Sequence, residues 1–314
     1  MDKLIVSTSP HIKTKDSYKK IMWSVVLALI PTGIAGVFIF GISALKVIVI
    51  AVISSLLTEA FIQKLRNKKI TIFDGSSFIT GLLLAYNLPP KVPWWIPMIG
   101  SFFAIAIAKQ AFGGLGHNIF NPALAGRAFL LASWPRYLTT WQYPRWHIDT
   151  LTTATPLGIV KEKIPLNLPS YGKLFIGDKA GCIGEVCILA ILLGAIFLLY
   201  KGYIRWYTPF TFIFTVGLLS WIFMGEGLFK GDWLFYILSG GLFLGAFFMA
   251  TDYVTTPLTK KGKFIFGFGC GILTFLIRKF GGYPEGVSYS ILIMNAFTPL
   301  IDRYTKTKKF GYKK

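Results

Sequence analysis

The chain of 314 residues is poor in charge: Asp, Glu, Lys and Arg make up 15% of it, and only 13 of them are acidic against 33 basic. Soluble domains carry about 25% charged residues, so an ordinary water-facing surface is excluded. Cysteine is scarcer still. The three present, Cys182, Cys187 and Cys270, make neither a disulfide framework nor a complete metal site. Cys182 and Cys187 lie near an expected helix end, where they either pair or ligate, or serve as small buried apolar residues. There is no Cys-rich cluster motif and no dinucleotide-binding glycine fingerprint, so iron–sulfur and NAD chemistry are not to be sought in this chain. Residues 1–20 lack the short apolar core of a secretory signal, and the apolar run from Ile21 is followed by many more, so it is read as a retained span.

What the chain has instead is apolar length. It is 54% hydrophobic, with a mean hydropathy of +0.60. Runs long enough to cross roughly 30 Å of hydrocarbon recur throughout, and lipid tolerates only helices or closed barrels. The runs are continuously apolar, which selects helices. Ten spans are predicted, at 21–40, 43–62, 75–89, 94–112, 119–135, 183–200, 206–224, 233–250, 264–280 and 286–301. The third is short, opened by Asp74-Gly75 and ended by Leu88-Pro89-Pro90, as expected of a broken or half-membrane helix.

Charge then orients the spans. With the N-terminus inside, 21 Lys and Arg fall on the cytoplasmic side and 11 outside, with Arg127 inside a span. Both termini are therefore expected in the cytoplasm and the long loop 136–182 outside it. The net charge of +20 is explained by orientation toward anionic lipid, and no nucleic-acid partner is implied. Trp94, Trp95, Trp134, Trp141, Trp206, Trp221 and Trp233 near span ends suit interfacial anchoring.

The triplet Phe112-Gly113-Gly114 recurs as Phe280-Gly281-Gly282, an offset of 168 residues shared by Pro89 and Pro257. Five spans separate the copies, an odd number, so the halves are expected in opposite orientations, as in inverted-repeat transporters. The expected fold class is an all-α polytopic membrane protein of about ten helices in two inverted five-helix repeats. Its divisions are 1–20 (N-terminal segment), 21–135 (first repeat), 136–182 (loop), 183–302 (second repeat) and 303–314 (basic tail).

Polar residues within or beside spans are costly in lipid and face a cavity or a partner. Candidates are Glu59, Asp74, Arg127, Glu185, Asp252 and Glu285, with Asn118, Asn121 and Asn295. For Glu59, Asp252 and Glu285, interfacial solvation or helix-end packing is expected ahead of ion transport. Arg127, mid-span on the helix leading into the long loop, either holds an anionic group there or forms a structural ion pair with Glu185 or Asp74.

The loop carries Asp149-Thr150-Leu151-Thr152-Thr153-Ala154-Thr155-Pro156-Leu157. Taken alone it is either a Thr-rich turn or a modification segment. Asp149, Thr152, Ala154 and Thr155 match the pattern D-x-x-[ST]-G-A-[ST], and with the segments 74–84 and 112–123 the chain resembles the RnfD/NqrB family, most nearly RnfD. Thr153 stands where the pattern has glycine, which places a second hydroxyl beside the acceptor.

The resemblance implies that FMN is joined through its phosphate to the Thr155 hydroxyl, with Asp149, Thr152, Thr153, Ala154 and Arg127 around it. Pro156 biases Thr155 toward extended backbone, presenting its hydroxyl to a separate flavin transferase. The family also implies a possible second, non-covalent flavin such as riboflavin. It further implies membership of a multi-subunit Rnf-type complex in the inner (cytoplasmic) membrane, coupling ferredoxin:NAD electron transfer to Na⁺ or H⁺ movement, with the ferredoxin and NAD sites on other subunits. Three alternatives stay open: an NqrB-like subunit of a quinone-reducing Na⁺ pump, a solute channel or transporter on the same repeat, and a purely structural membrane scaffold within a complex.

Overall fold

Continuous apolar runs leave the backbone one way to satisfy its own polar groups, and the result is almost entirely helical. The computed structural model describes residues 17–146 and 152–306, residue 152 by its backbone alone. Helix α1 (Tyr18–Phe40) starts at Ser17, whose hydroxyl accepts from the Lys20 N–H at 3.2 Å, and α2 (Ile42–Leu65) follows directly. Next come α3 (Ser76–Tyr86), α4 (Trp95–Ile105, extended by a π turn at Ala106–Gln110), α5 (Pro122–Ser133) and the single turn α6 (Pro135–Leu138). A two-strand ribbon of β1 (Trp141–Gln142) and β2 (Thr152–Thr153) leads to α7 (Pro156–Lys161) and α8 (Tyr171–Ile176). The remainder is α9 (Ile188–Tyr200), α10 (Tyr207–Phe223), α11 (Trp233–Leu238), α12 (Leu242–Leu244, with a π turn at Gly245–Met249), α13 (Lys260–Phe280) and α14 (Val287–Tyr304).

The packing is inverted relative to a soluble protein. Helix α1 turns Leu27, Ile34 and Phe38 outward while burying Thr32, and α2 turns Val49, Ile53, Leu57 and Phe61 outward while burying Ser55, Glu59 and Gln63. An outer stripe of that kind calls for an apolar surround. By length and composition α1 and α2 can cross a bilayer; Ser76–Tyr86, Trp95–Gln110, Ile188–Tyr200 and Tyr207–Phe223 are shorter apolar helices. Helix α2 packs on α3 and α4, α1 on α9, α10 on α13, and α5 on α14. At the α1–α9 crossing, a Cβ on Gly194 would be driven into the Ala28 carbonyl oxygen, so the backbones meet only because that side chain is absent.

Three expected spans are redrawn. The span expected at 233–250 is broken at 239–241, between α11 and α12. Polar side chains make the break tolerable. Arg278 donates to the carbonyls of Tyr236 (2.6 Å) and Ser239 (3.1 Å), Lys179 donates to that of Leu238 (2.7 Å), and Glu285 accepts from the Gly241 N–H (3.0 Å). The span expected at 183–200 becomes helical only at Ile188, because the preceding turn closes the end of α3: Ile183 N–H donates to Leu88 O (3.1 Å) and Gly184 N–H to Tyr86 O (2.9 Å). The span expected from 119 starts at Pro122, with Asn121 as its cap. The short third element is an 11-residue helix ended at Asn87.

Candidate functional site

Helix α5 is aimed by its first turn. The Asn121 side chain accepts from the N–H groups of Ala123 (3.1 Å) and Leu124 (3.4 Å), and Pro122 fills the first helical position, where no N–H is needed. Arg127 follows one and a half turns later, 7% exposed. Its guanidinium donates to Asn87 Oδ1 (2.8 Å), Ser288 Oγ (2.9 Å) and Glu285 Oε2 (2.5 Å), and it lies 3.8 Å from Cys182 Sγ.

The expected ion pair of Arg127 with Glu185 or Asp74 is therefore corrected: its partner is Glu285. Asp74 is spent at the start of α3, where one carboxylate oxygen accepts from both the Ser76 N–H and the Ser76 hydroxyl at 2.7 Å. Glu185 accepts from the Cys182 N–H at 2.9 Å and is not the carboxylate that pairs with the guanidinium. Interfacial solvation of Glu59 is likewise corrected, since it is 1% exposed and paired with Lys109 at 2.8 Å. Asp252 accepts from the Thr255 hydroxyl at 3.0 Å in the turn that precedes α13.

The threonine segment borders the same cleft as this cation. Trp141 pairs with Thr153 and Gln142 with Thr152 in the ribbon. Thr155 is extended (φ −66°, ψ 157°) and caps α7, its hydroxyl oxygen accepting from the Gly158 N–H at 3.1 Å. That bond uses a lone pair, not the hydroxyl hydrogen. Thr153, by contrast, only makes a long contact from its hydroxyl to the Ala154 carbonyl at 3.5 Å. Asp149 lies outside the described residues, as does the side chain of Thr152.

Thr153, Ala154, Thr155 and Arg127 all border one cleft of about 410 Å³, lined also by Tyr283, Glu285 and Tyr289. The rings of Tyr283 and Tyr289 stack at 5.9 Å with 22° between planes, and Trp141 lines the same space. Lys161 ties α7 to the opposite wall, donating to the carbonyls of Ile277 (3.2 Å) and Tyr283 (2.9 Å). Burial lowers the Lys161 pKa, and it pushes Lys179 down to about 8 against the pull of Glu185.

A phosphoryl ester needs an accessible aliphatic hydroxyl, and a flavin ring needs flat apolar or aromatic walls with a few polar groups. The cleft supplies both, with a guanidinium among its lining groups. Glu285, Ser288, Asn87 and Tyr289 had not been assigned to this site from the sequence. The signal was present in Pro284-Glu285-Gly286, directly after the repeated Phe280-Gly281-Gly282; Gly286, at φ +75°, makes the turn into α14 that brings Glu285 back to the cleft.

Comparison with known proteins adds an independent line. A family model described as the NQR2, RnfD, RnfE family matches residues 5–311. The chain is 53% identical over 316 residues to the D subunit of the proton-translocating ferredoxin:NAD⁺ oxidoreductase complex of Clostridium ljungdahlii, covering 98% of this chain and 96% of the relative. It is 50% identical over 313 residues to the D subunit of the Na⁺-translocating ferredoxin:NAD⁺ oxidoreductase complex of Acetobacterium woodii, covering 99% and 96%. The D subunit of an ion-translocating oxidoreductase complex of Escherichia coli is 37% identical over 350 residues, covering 98% and 99%.

Proposed function

The chain belongs to the NQR2, RnfD, RnfE family, and on that premise we propose that it is the RnfD-type subunit of an ion-translocating ferredoxin:NAD⁺ oxidoreductase complex, carrying FMN on Thr155. Full-length similarity at 50–53% to two such subunits supports this placement, and favours it over a quinone-reducing pump or a solute channel. The observation that carries the flavin is the shared cleft: Thr155 and Arg127, 28 positions apart in sequence, border the same space.

In this reading Thr155 holds the phosphate and Arg127 supplies a fixed positive charge toward the group. Trp141, Tyr283 and Tyr289 provide flat walls that exclude water. Bound FMN supplies the electron-carrying chemistry. The bond from Gly158 N–H to Thr155 survives esterification because it needs only the oxygen, so α7 keeps its cap. The apolar cavity at the other end of α5, bordered by Met22, Leu83, Lys109 and Phe247, encloses only about 80 Å³, too little for a second, non-covalent flavin.

The topology proposed with this function is ten passes of the inner (cytoplasmic) membrane in two inverted repeats, 21–135 and 183–302, with loop 136–182 outside and the segments 1–20 and 303–314 in the cytoplasm. Partners are the other subunits of the complex, a flavin transferase and the bilayer. The test is mass analysis of the peptide containing Thr155 from native membranes. It is expected to carry one FMN phosphoester; a peptide of unmodified mass refutes the assignment.

A further inference from the structure

Two cavities approach each other from opposite ends of α5. One reaches Leu83, Asn121 and Pro122; the other, the Thr155 cleft, reaches Arg127, Leu131 and Ser288. Pro122 and Leu131 are nine residues apart on one helix, roughly 13 Å. Between the cavities runs a polar partition. Asn121 donates from its side chain to Met249 O (3.4 Å) and from its backbone to Asn295 Oδ1 (3.2 Å). The Asn87 amide contacts Met249 Sδ at 3.6 Å, and Arg127 completes the line by donating to Asn87 Oδ1 at 2.8 Å.

Both broken helices end here, α3 at Tyr86 and the π turn after α12 at Met249. Their last carbonyls carry partial negative charge, and such ends draw monovalent cations.

The partition is lopsided. At the offset of 168 residues that relates Phe112 to Phe280, Arg127-Ala128-Phe129 corresponds to Asn295-Ala296-Phe297, and Asn87 to Thr255. The hydrogen bonds correspond as well: Arg127 donates to Asn87, and Asn295 donates to Thr255 O at 3.0 Å. One copy thus bridges to its broken helix with a neutral amide and the other with a permanent cation. Hydrogen bonding alone does not ask for the charge, which is costly to bury. The buried group as a whole holds three cations, Arg127, Lys179 and Arg278, against two carboxylates, Glu185 and Glu285, and Lys179 and Arg278 are taken up by the carbonyls of the 239–241 break. Of the three cations Arg127, paired with Glu285, is the one in direct contact with the partition.

We propose that Arg127 is a tethered cation that seals this partition, holding with a fixed charge the place where the helix ends would otherwise draw a mobile ion, so that neither Na⁺ nor H⁺ leaks between the two cavities. The proposal rests on the membrane-spanning topology above.

The test places the full chain in liposomes with trapped Na⁺ or pH indicators and a potential set by K⁺ and valinomycin. Arg127→Asn is made together with Glu285→Gln, so that no buried carboxylate loses its partner, and Ser288→Asp is made separately, cancelling the charge while Arg127 stays in place. Each is expected to discharge at least one gradient faster by about tenfold or more, which corresponds to about 1.4 kcal/mol of barrier. Arg127→Lys is expected to stay as tight as the wild type. The proposal is overturned if either charge-removing protein, eluting as the wild type does, remains tight. It is equally overturned if Arg127→Lys leaks like the neutral variant or if the wild-type chain itself leaks as fast. A Thr155 peptide of unmodified mass would remove the flavin assignment and leave this measurement standing.

Discussion

Replacing Lys109 by Met should destabilise the fold sharply, and replacing its partner as well should restore much of the loss. Lys109 Nζ stands 2.8 Å from Glu59 Oε1, 2.7 Å from Ser76 Oγ and 3.2 Å from Ser77 Oγ, with side-chain exposures of 2% and 1% for the lysine and the glutamate. Glu59 also accepts from Gln110 Nε2 at 2.7 Å and from the Ser77 hydroxyl. At an effective dielectric of about 20 the pair attraction is of order 6 kcal/mol before desolvation is charged against it. Removing one member of a buried pair costs about 3–5 kcal/mol, because the other charge stays behind without its partner. Since Ser76 and Ser77 open α3, the loss falls on the start of a broken helix. Lys109→Met should therefore lower the melting temperature of the purified protein, followed by intrinsic fluorescence, by several degrees or more. Glu59→Gln should cost less, because the amide still accepts from Lys109 and Gln110. The double variant removes both members of the pair together, so its loss should be smaller than the sum of the two by about 2 kcal/mol or more. Strict additivity would refute the reasoning, since it would mean that the two groups do not depend on one another in the native protein.

In-gel flavin fluorescence of native-host protein should disappear in Thr155→Val and persist in Thr155→Ser and Thr153→Val; a band surviving in Thr155→Val sinks the assignment. The same Thr155→Val change removes the cap of α7 and should cost only about 0.5–2 kcal/mol, so elution of the protein should be unchanged. Gly194→Leu should prevent α1 and α9 from meeting, costing at least the roughly 1–3 kcal/mol typical of overpacking and lowering the yield of folded protein in detergent. Lys179 has its pKa lowered from 10.5 to about 8 by burial, so between those values the unfolded chain binds a proton that the folded one has released. Stability should accordingly rise with pH across that window, and Lys179→Met should flatten the rise in thermal melts between pH 7 and pH 10.

Apolar runs, the scarcity of acid and the offset of 168 residues are properties of residue order, and helical class with its approximate helix positions could be read from them. So could the family resemblance and the candidate threonine, because Asp149, Ala154, Thr155 and Pro156 lie within one short segment. Local chemistry sufficed there: Pro156 holds Thr155 extended whatever surrounds it. The broken helix at 239–241 was not legible. Gly240 and Gly241 permit a break, but Arg278, Lys179 and Glu285, which satisfy the freed backbone groups, come from distant segments.

The same distinction separates Arg127 from its partners. That a buried arginine within an apolar helix needs a counter-charge followed from its cost in lipid, and the acids beside spans expected to supply it were Asp74 and Glu185. Which carboxylate answers it was decided by tertiary structure. Asp74 is consumed by the first turn of α3 and Glu185 by the turn before α9, while Gly286 bends the chain so that Glu285 reaches the guanidinium. Residue order determines what each side chain can do; only the packing of α3, α5 and α14 determines which of them meet, because pairing across a bundle depends on helix faces brought together from segments 40 to 161 residues apart.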